Sequence, residues 1–286
     1  MKNFQGKVAA ITGAGSGIGR ALALELARRG CALALSSRTE QRLAETAQLA
    51  RAAGVLVTST VVDVADREAV FDWATQCRAA HGKINLLFNN AGVSLISFAE
   101  TTSLADFEWV MDTNFWGVVH GTQAFLPHLR ASGEGHVINV SSTFGILAMP
   151  TQSAYNASKF AVRGYTEALR MERELEGAPV SATCVHPGGV GTNIAQTLRV
   201  DPEITRVSGL DAQAHRDRAD RMIQTTTAES AARQIIVGVE RNARRVLVGP
   251  DARLMDFFTR LLGPAYQVLV LRKVRKIRET ERRAAT

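Results

Sequence analysis

Lys7-Val-Ala-Ala-Ile-Thr12 is a short apolar run that passes without a break into Gly13-Ala-Gly-Ser-Gly-Ile-Gly19, and an amphipathic segment extends from Arg20 to Gly30. The order is buried strand, glycine loop, helix. Glycines at 13, 17 and 19 permit a tight turn, a close approach of backbone to a pyrophosphate, and close packing of helix on strand. Free amides at the start of such a helix favour an anion. A lone glycine pattern is also met in ordinary strand-to-helix turns, so the residues downstream of it decide its meaning.

Those residues are regularly patterned. Short apolar runs at Val8 to Ile11, Ala32 to Ser36, Val55 to Val62, Ile84 to Asn89, His136 to Val140, Val180 to His186 and Arg245 to Val248 alternate with helical segments. That alternation predicts an α/β fold: a Rossmann-type, doubly wound, seven-stranded parallel sheet with helices on both faces and right-handed crossovers. The chain has 286 residues, which suits one large sheet, and no internal repeat or interdomain linker interrupts it. A single domain over 1–250 is therefore expected, with 191–226 as its one long irregular insert, of the kind that forms a lid, and 251–286 as an extension. Thr226 and Glu229 have capping-box spacing, so a helix is expected to resume there.

Tyr155 and Lys159 lie four residues apart in Ser153-Ala-Tyr-Asn-Ala-Ser-Lys. On a helix they share one face, where an ammonium can lower the pKa of a phenol that otherwise titrates near ~10. Tyr155 is thus a candidate proton donor. Tyr-x-x-x-Lys is also a common surface pair, and the rest of the chain gives it weight. Thirteen residues upstream of Tyr155, Ser142 ends the run Val137-Ile-Asn-Val-Ser-Ser, and Ser141 would point to the opposite face of an extended strand.

The glycine loop, Asn89-Asn-Ala-Gly92, Ser142, Tyr155-x-x-x-Lys159 and Pro187-Gly188 occur in one order at compatible distances. Together they resemble the classical short-chain dehydrogenase/reductase family, from about Lys7 to Gly249. The resemblance implies hydride transfer between a nicotinamide cofactor and a ketone or secondary alcohol. Ser142 would bond the substrate oxygen and Tyr155 would donate or accept its proton. Lys159 would lower the Tyr155 pKa and hold the nicotinamide ribose, and Asn114 would anchor a water leading from Lys159 to solvent. The family's usual interval selects Ser142 rather than Ser141. The implied cofactor contacts are Thr12, Gly13, Ser16, Gly17, Ile18 and Gly19 at the phosphates, Asp63 and Val64 at the adenine, and Asn90, Ala91 and Gly92 at the ribose and crevice floor. Pro187, Gly188, Val190 and Thr192 would border the nicotinamide. Gly188, Gly189 and Gly191 suggest that this last loop is unusually flexible.

Cofactor choice turns on the end of the second strand, Leu35-Ser-Ser-Arg38. By resemblance Ser37 stands where NAD-preferring members carry an acid, and Arg38 offers a planar charged fork suited to a 2′-phosphate. NADP(H) is favoured, and NAD(H) remains compatible. A nucleotide-binding protein without turnover, or an epimerase or dehydratase on the same scaffold, are the alternative readings. The first fits poorly with a chain that keeps Ser, Tyr, Lys and Asn together, and no residues for a nucleotide-sugar are found.

Other chemistries lack their signatures. No Gly-x-Ser-x-Gly elbow, His-Glu-x-x-His or Walker lysine loop occurs, and the six histidines are scattered without metal-ligand spacing, so no metal is expected. Cys31, Cys77 and Cys184 are isolated, which suits reduced thiols. With no signal-peptide core and no run of eighteen apolar residues, a cytoplasmic location is expected.

Beyond Gly249, the apolar stretches around Phe257 and Leu261 to Leu271 lead into Arg272-Lys-Val-Arg-Lys-Ile-Arg278. Nine Lys or Arg against four Asp or Glu give this extension an excess of five positive charges out of a net +7. Two readings stand: an amphipathic segment resting on an anionic membrane, or a tail packed over a partner subunit or its own cleft. Aromatic residues do not interleave with the charges, so no nucleic acid partner is expected. Phe144, Ile146, Leu147 and Met149 suggest a small hydrophobic carbonyl or alcohol substrate. The resemblance implies a homodimer or homotetramer through the Tyr155 helix, where Ala157, Ala161 and Gly164 allow close approach.

Overall fold

In the computed structural model, which describes residues 1 and 3–284, the apolar runs form one seven-stranded parallel sheet. Its strands are β1 (Val8–Ile11), β2 (Ala32–Ser37), β3 (Val57–Val61), β4 (Leu86–Asn89), β5 (Gly135–Val140), β6 (Val180–Pro187) and β7 (Arg245–Val248). The spatial order is β3-β2-β1-β4-β5-β6-β7. Strands β1, β4 and β5 are buried along their whole length. Continuous apolar runs are the sequence consequence of covering a sheet on both faces.

The strand period distributes each run between two cores. Ala9 and Ile11 point to one side, where α1 (Gly17–Arg28), α2 (Glu40–Arg51) and α9 (Ala228–Glu240) supply Leu22, Leu26, Ala47 and Ile235. Val8 and Ala10 point to the other, against α3 (Arg67–His81), α5 (Gly117–Ala131) and α6 (Ser153–Leu175). There Trp73 and Phe125 meet edge to face with centroids 4.9 Å apart. Such an aromatic pair contributes about 0.5–1.5 kcal/mol beyond its area burial.

The sheet order reverses between β1 and β4, so their carboxyl ends open a crevice that the flanking helices do not fill. Thr12 ties the crevice floor together: its hydroxyl accepts from Asn90 N (2.9 Å) and Ala91 N (3.1 Å). Below the floor, Asn89 and Asn139, opposite each other on β4 and β5, share a 2.8 Å hydrogen bond, and Asn139 Nδ2 donates to Thr166 on α6.

Two segments depart from the sequence expectation. The 191–226 insert is not irregular: it carries a short strand, Arg199–Val200, paired with Leu95–Ile96, then α7 (Pro202–Ser208) and α8 (Ala212–Met222). Asp201 and Asp211 cap these helices by accepting from Glu203 N and Ala214 N. The helix after the insert is capped by Thr227, whose side chain accepts from Ser230 N, and not by Thr226. Thr226 is instead held in a bridge with Val190. The extension continues as α10 (Pro250–Leu262) and α11 (Tyr266–Ala284). The Ile277 and Arg278 side chains of the basic cluster lie outside the described residues.

Between α3 and α5, α4 (Leu104–Met111) runs through a π turn, Asp112–Trp116, into α5, with Gly117 N–H bonding Asp112 O five residues back. Single π turns inside helices commonly mark functional positions.

Candidate active site

Residues from every element ending at the crevice line one cleft of about 1450 Å³. At its glycine-loop end, Gly13 and Gly17 have φ of +64° and +53°, a backbone region open to glycine at little cost. A side chain at Gly19 would start 2.2 Å from Gly13 O, so helix α1 lies hard against the loop. Ser16 caps α1 in extended conformation without a side-chain bond to its amides. Those free N–H groups and the glycine cradle fit a pyrophosphate.

Arg38 and Asp63 leave adjacent strand ends and form a 3.7 Å ion pair, both about half exposed. Gly13, Ser16, Gly17, Ile18, Arg38, Val64, Asn90, Ala91 and Gly92 all line the cleft. Thr12, Gly19 and Asp63 are not part of its wall. Thr12 and Gly19 sit immediately behind it, shaping the loops from below.

At the other end, Ser142, Tyr155 and Lys159 line the same cleft. Ser142 follows β5 in extended conformation and accepts from Phe144 N at 3.1 Å. Its side chain counters part of the effect of burial on the Tyr155 phenol. Ser141 turns away and donates to Lys159 O at 2.7 Å, as an alternating strand end requires. Behind Ser142, the buried His186 ring bonds Ser142 O at 2.9 Å, and burial pushes its pKa down to about 4. A neutral ring thus fixes the serine's backbone, a role that scattered histidines did not announce in the sequence.

The electrostatics differ from the simple expectation. Burial raises the Tyr155 pKa, opposed by the Ser142 side chain. Lys159 Nζ lies 5.6 Å from the Tyr155 ring centre and donates to Val140 O at 3.1 Å. Lys159 is itself buried, 3% exposed, and burial pushes its pKa down to about 8. Between about 8 and its ordinary 10.5, the unfolded chain binds a proton that the folded chain lacks. Stability should therefore rise with pH across that window, and the full cost of the buried ammonium applies below it. Lys159→Met is expected to flatten the rise in melting temperature, measured by calorimetry from neutral pH upward.

Asn114 sits in the π turn, fully buried and away from the cleft wall. Its side chain accepts from Val93 N (2.8 Å) and donates to Val93 O (3.0 Å) and to Ser158 Oγ (3.1 Å). Ser158 in turn donates to Tyr155 O at 2.8 Å. Asn114 and Lys159 meet across Gly92, where an added Cβ would lie 3.2 Å from Asn114 Oδ1 and 3.5 Å from Lys159 Nζ. Ser158, one residue before the lysine, was not singled out by sequence reasoning. Only the packing of α6 on the π turn reveals it.

Pro187, Gly188, Val190 and Thr192 line the cleft, but their loop is clamped rather than loose. Gly188 N bonds Val248 O, Gly191 N bonds Thr226 O, and Thr226 N bonds Gly189 O. Gly189 N donates to Asp251 Oδ2 at 2.6 Å. A Cβ on Gly188 would stand 2.3 Å from both Asp251 carboxylate oxygens, so glycine is needed there for room.

The remaining wall is largely apolar. Ile96, Phe98, Phe144, Leu147 and Met149 meet Ile204, Leu210 and Met222 of the insert, and Leu254, Phe258, Leu269 and Val274 of the extension. Ile146 is buried behind this wall. Tyr266 reaches across, accepting from Ala148 N at 2.9 Å. Among the described residues no cluster of His, Cys, Asp or Glu is arranged to hold a metal ion.

Known proteins share this architecture. A family profile described as short chain dehydrogenase matches residues 7–203. SadH of Mycobacterium tuberculosis, named as an oxidoreductase, is 47% identical over 276 residues, covering 96% of this chain and 98% of its own. The 11-beta-hydroxysteroid dehydrogenase 1A of Arabidopsis thaliana is 38% identical over 251 residues, 86% of this chain and 69% of its own. A crystal structure of a short chain dehydrogenase/reductase from Burkholderia phymatum in complex with NAD superposes with a TM-score of 0.83 at 32% identity, covering 94% of this chain and 97% of the other.

Proposed function

Since the chain belongs to the short-chain dehydrogenase/reductase family and is an oxidoreductase acting on CH–OH groups, we propose that it interconverts a hydrophobic ketone and its secondary alcohol with NADP(H). The observation that carries this reading is the shared cleft: Ser142 and Tyr155 face the same space as the glycine cradle. When bound, a nicotinamide dinucleotide supplies or accepts the hydride. Gly13, Ser16, Gly17 and Ile18 would hold its phosphates, Asp63 and Val64 its adenine, and Asn90, Ala91 and Gly92 its ribose. Pro187, Gly188, Val190 and Thr192 would flank the nicotinamide. Thr12 and Gly19 position these loops from behind.

In this reading Ser142 orients the substrate oxygen and Tyr155 exchanges the proton with it. Lys159, poised near neutrality, supports the phenolate form and holds ribose hydroxyls. Asn114 fixes the Val93 backbone and, through Ser158, the turn of α6 that bears Tyr155. Apolar walls from the insert and the extension favour a lipophilic substrate. Exposed Ala157 and Gly164, close to exposed Phe160, support assembly as a homodimer or homotetramer. A spectrophotometric screen of ketones and alcohols with NADPH, NADP, NADH and NAD tests the reading; absence of nicotinamide-dependent turnover across the panel would refute it.

NADP preference rests on Arg38, with no carboxylate at Ser37. The Arg38–Asp63 pair is exposed enough to exchange its partner for a phosphate. Hydrogen bonds to charged groups contribute about 1.5–3 kcal/mol. Arg38→Ala should therefore weaken NADPH binding about ten- to a hundred-fold and NADH little, as read by fluorescence titration. Equal losses for both would remove the assignment.

A further inference from the structure

We propose that the outer face of α10 and α11 docks on an anionic lipid surface, so that the mouth of the cleft opens against the bilayer. On α10, Leu254, Phe257, Phe258 and Leu261 form one stripe at helical spacing, and all four are exposed. The opposite stripe, Ala252 and Asp256, is buried. The helix is thus turned inside out relative to an ordinary surface helix, with its apolar residues toward water. On α11, Tyr266, Val270 and Val274 look into the cleft, while Val268 and Leu271 are exposed. Leu254, Phe258 and Leu269 are both exposed and cleft-lining, so the apolar patch is continuous with the entrance.

Charge identifies the occupant. Exposed Arg253, Arg272, Lys273 and Arg275 frame the patch. The two acids of 250–276 face inward: Asp256 pairs with Arg245 (3.0 Å) and Arg260 (2.8 Å), and Asp251 holds Gly189 N. What remains outward is apolar and cationic, the combination that binds an interface of acyl chains beneath anionic headgroups. A second copy of the chain would bring the same positive charge to the contact. Among the described residues no helix is long and apolar enough to cross a membrane, so the contact is peripheral.

The test is flotation of the full chain with vesicles of phosphatidylcholine alone, or of about three parts phosphatidylcholine to one part phosphatidylglycerol. The wild type should float with the anionic vesicles, and Phe257→Ser combined with Leu261→Ser should reduce partitioning by roughly tenfold or more. Neither residue lines the cleft, so turnover of a small water-soluble substrate should be unchanged in that variant. The proposal is overturned if the wild type does not bind, binds neutral vesicles equally well, or partitions like the variant. It is also overturned if the double substitution instead splits an oligomer in size-exclusion chromatography while neither protein binds vesicles. No substrate or nucleotide enters the flotation, so its failure leaves the proposed reaction untouched.

Discussion

Tyr155→Phe is expected to lower turnover about a hundred- to ten-thousand-fold, the range that a positioned proton donor contributes. The ring and its edge-to-face contact with Phe144 remain in the variant; only the hydroxyl is removed. Nucleotide affinity and melting temperature should therefore stay close to wild type. Steady-state rates beside a fluorescence titration of NADPH separate the two effects. Undiminished turnover would exclude Tyr155 from the chemistry, and an equal loss of binding and rate would make it a structural residue.

The second large effect is expected at Gly19. An alanine there places its Cβ 2.2 Å from Gly13 O and 2.6 Å from Asn90 Nδ2, and the first of these is backbone that has no rotamer to yield. Overpacking of this kind costs about 1–3 kcal/mol, and relief requires α1 to move away from the loop that would receive the phosphates. Gly19→Ala should thus lower the melting temperature and weaken dinucleotide binding about ten- to a hundred-fold. If the variant binds NADPH like the wild type, the glycine cradle does not shape the site.

Much of this architecture was legible because it depends on short-range rules. The runs Val8–Ile11 and Leu86 to Phe88 are apolar throughout because both faces are covered, and Tyr155 and Lys159 share a face because a helix repeats every 3.6 residues. Ser141 and Ser142 part company because strand side chains alternate. The features that stayed hidden depend on contacts distant in sequence. Gly188 to Gly191 read as a loose loop because nothing nearby in the sequence reveals that Asp251 fills the space a side chain would need. The Tyr155–Lys159 spacing carries no information on burial, which raises the pKa of the phenol and lowers that of the ammonium. The insert looked irregular because its helices are short and polar, although Asp201-Pro202 and Asp211 are ordinary start signals. Thr226 and Thr227 are both plausible caps, and the bridge to Val190 decides between them. The π turn at Asp112–Trp116 has no composition cue, and within it Asn114 bonds Val93 and Ser158, partners distant in sequence.

The bond from Gly189 N–H to the Asp251 carboxylate makes the C-terminal extension a brace as well as a cover. A boundary drawn after residue 250 severs that brace, so a truncated chain would lose a wall of the cleft together with one of the ties on the glycine loop. Displacement of α10 would release the carboxylate tie on Gly189 and leave the glycine strap to its backbone bonds with Val248 and Thr226.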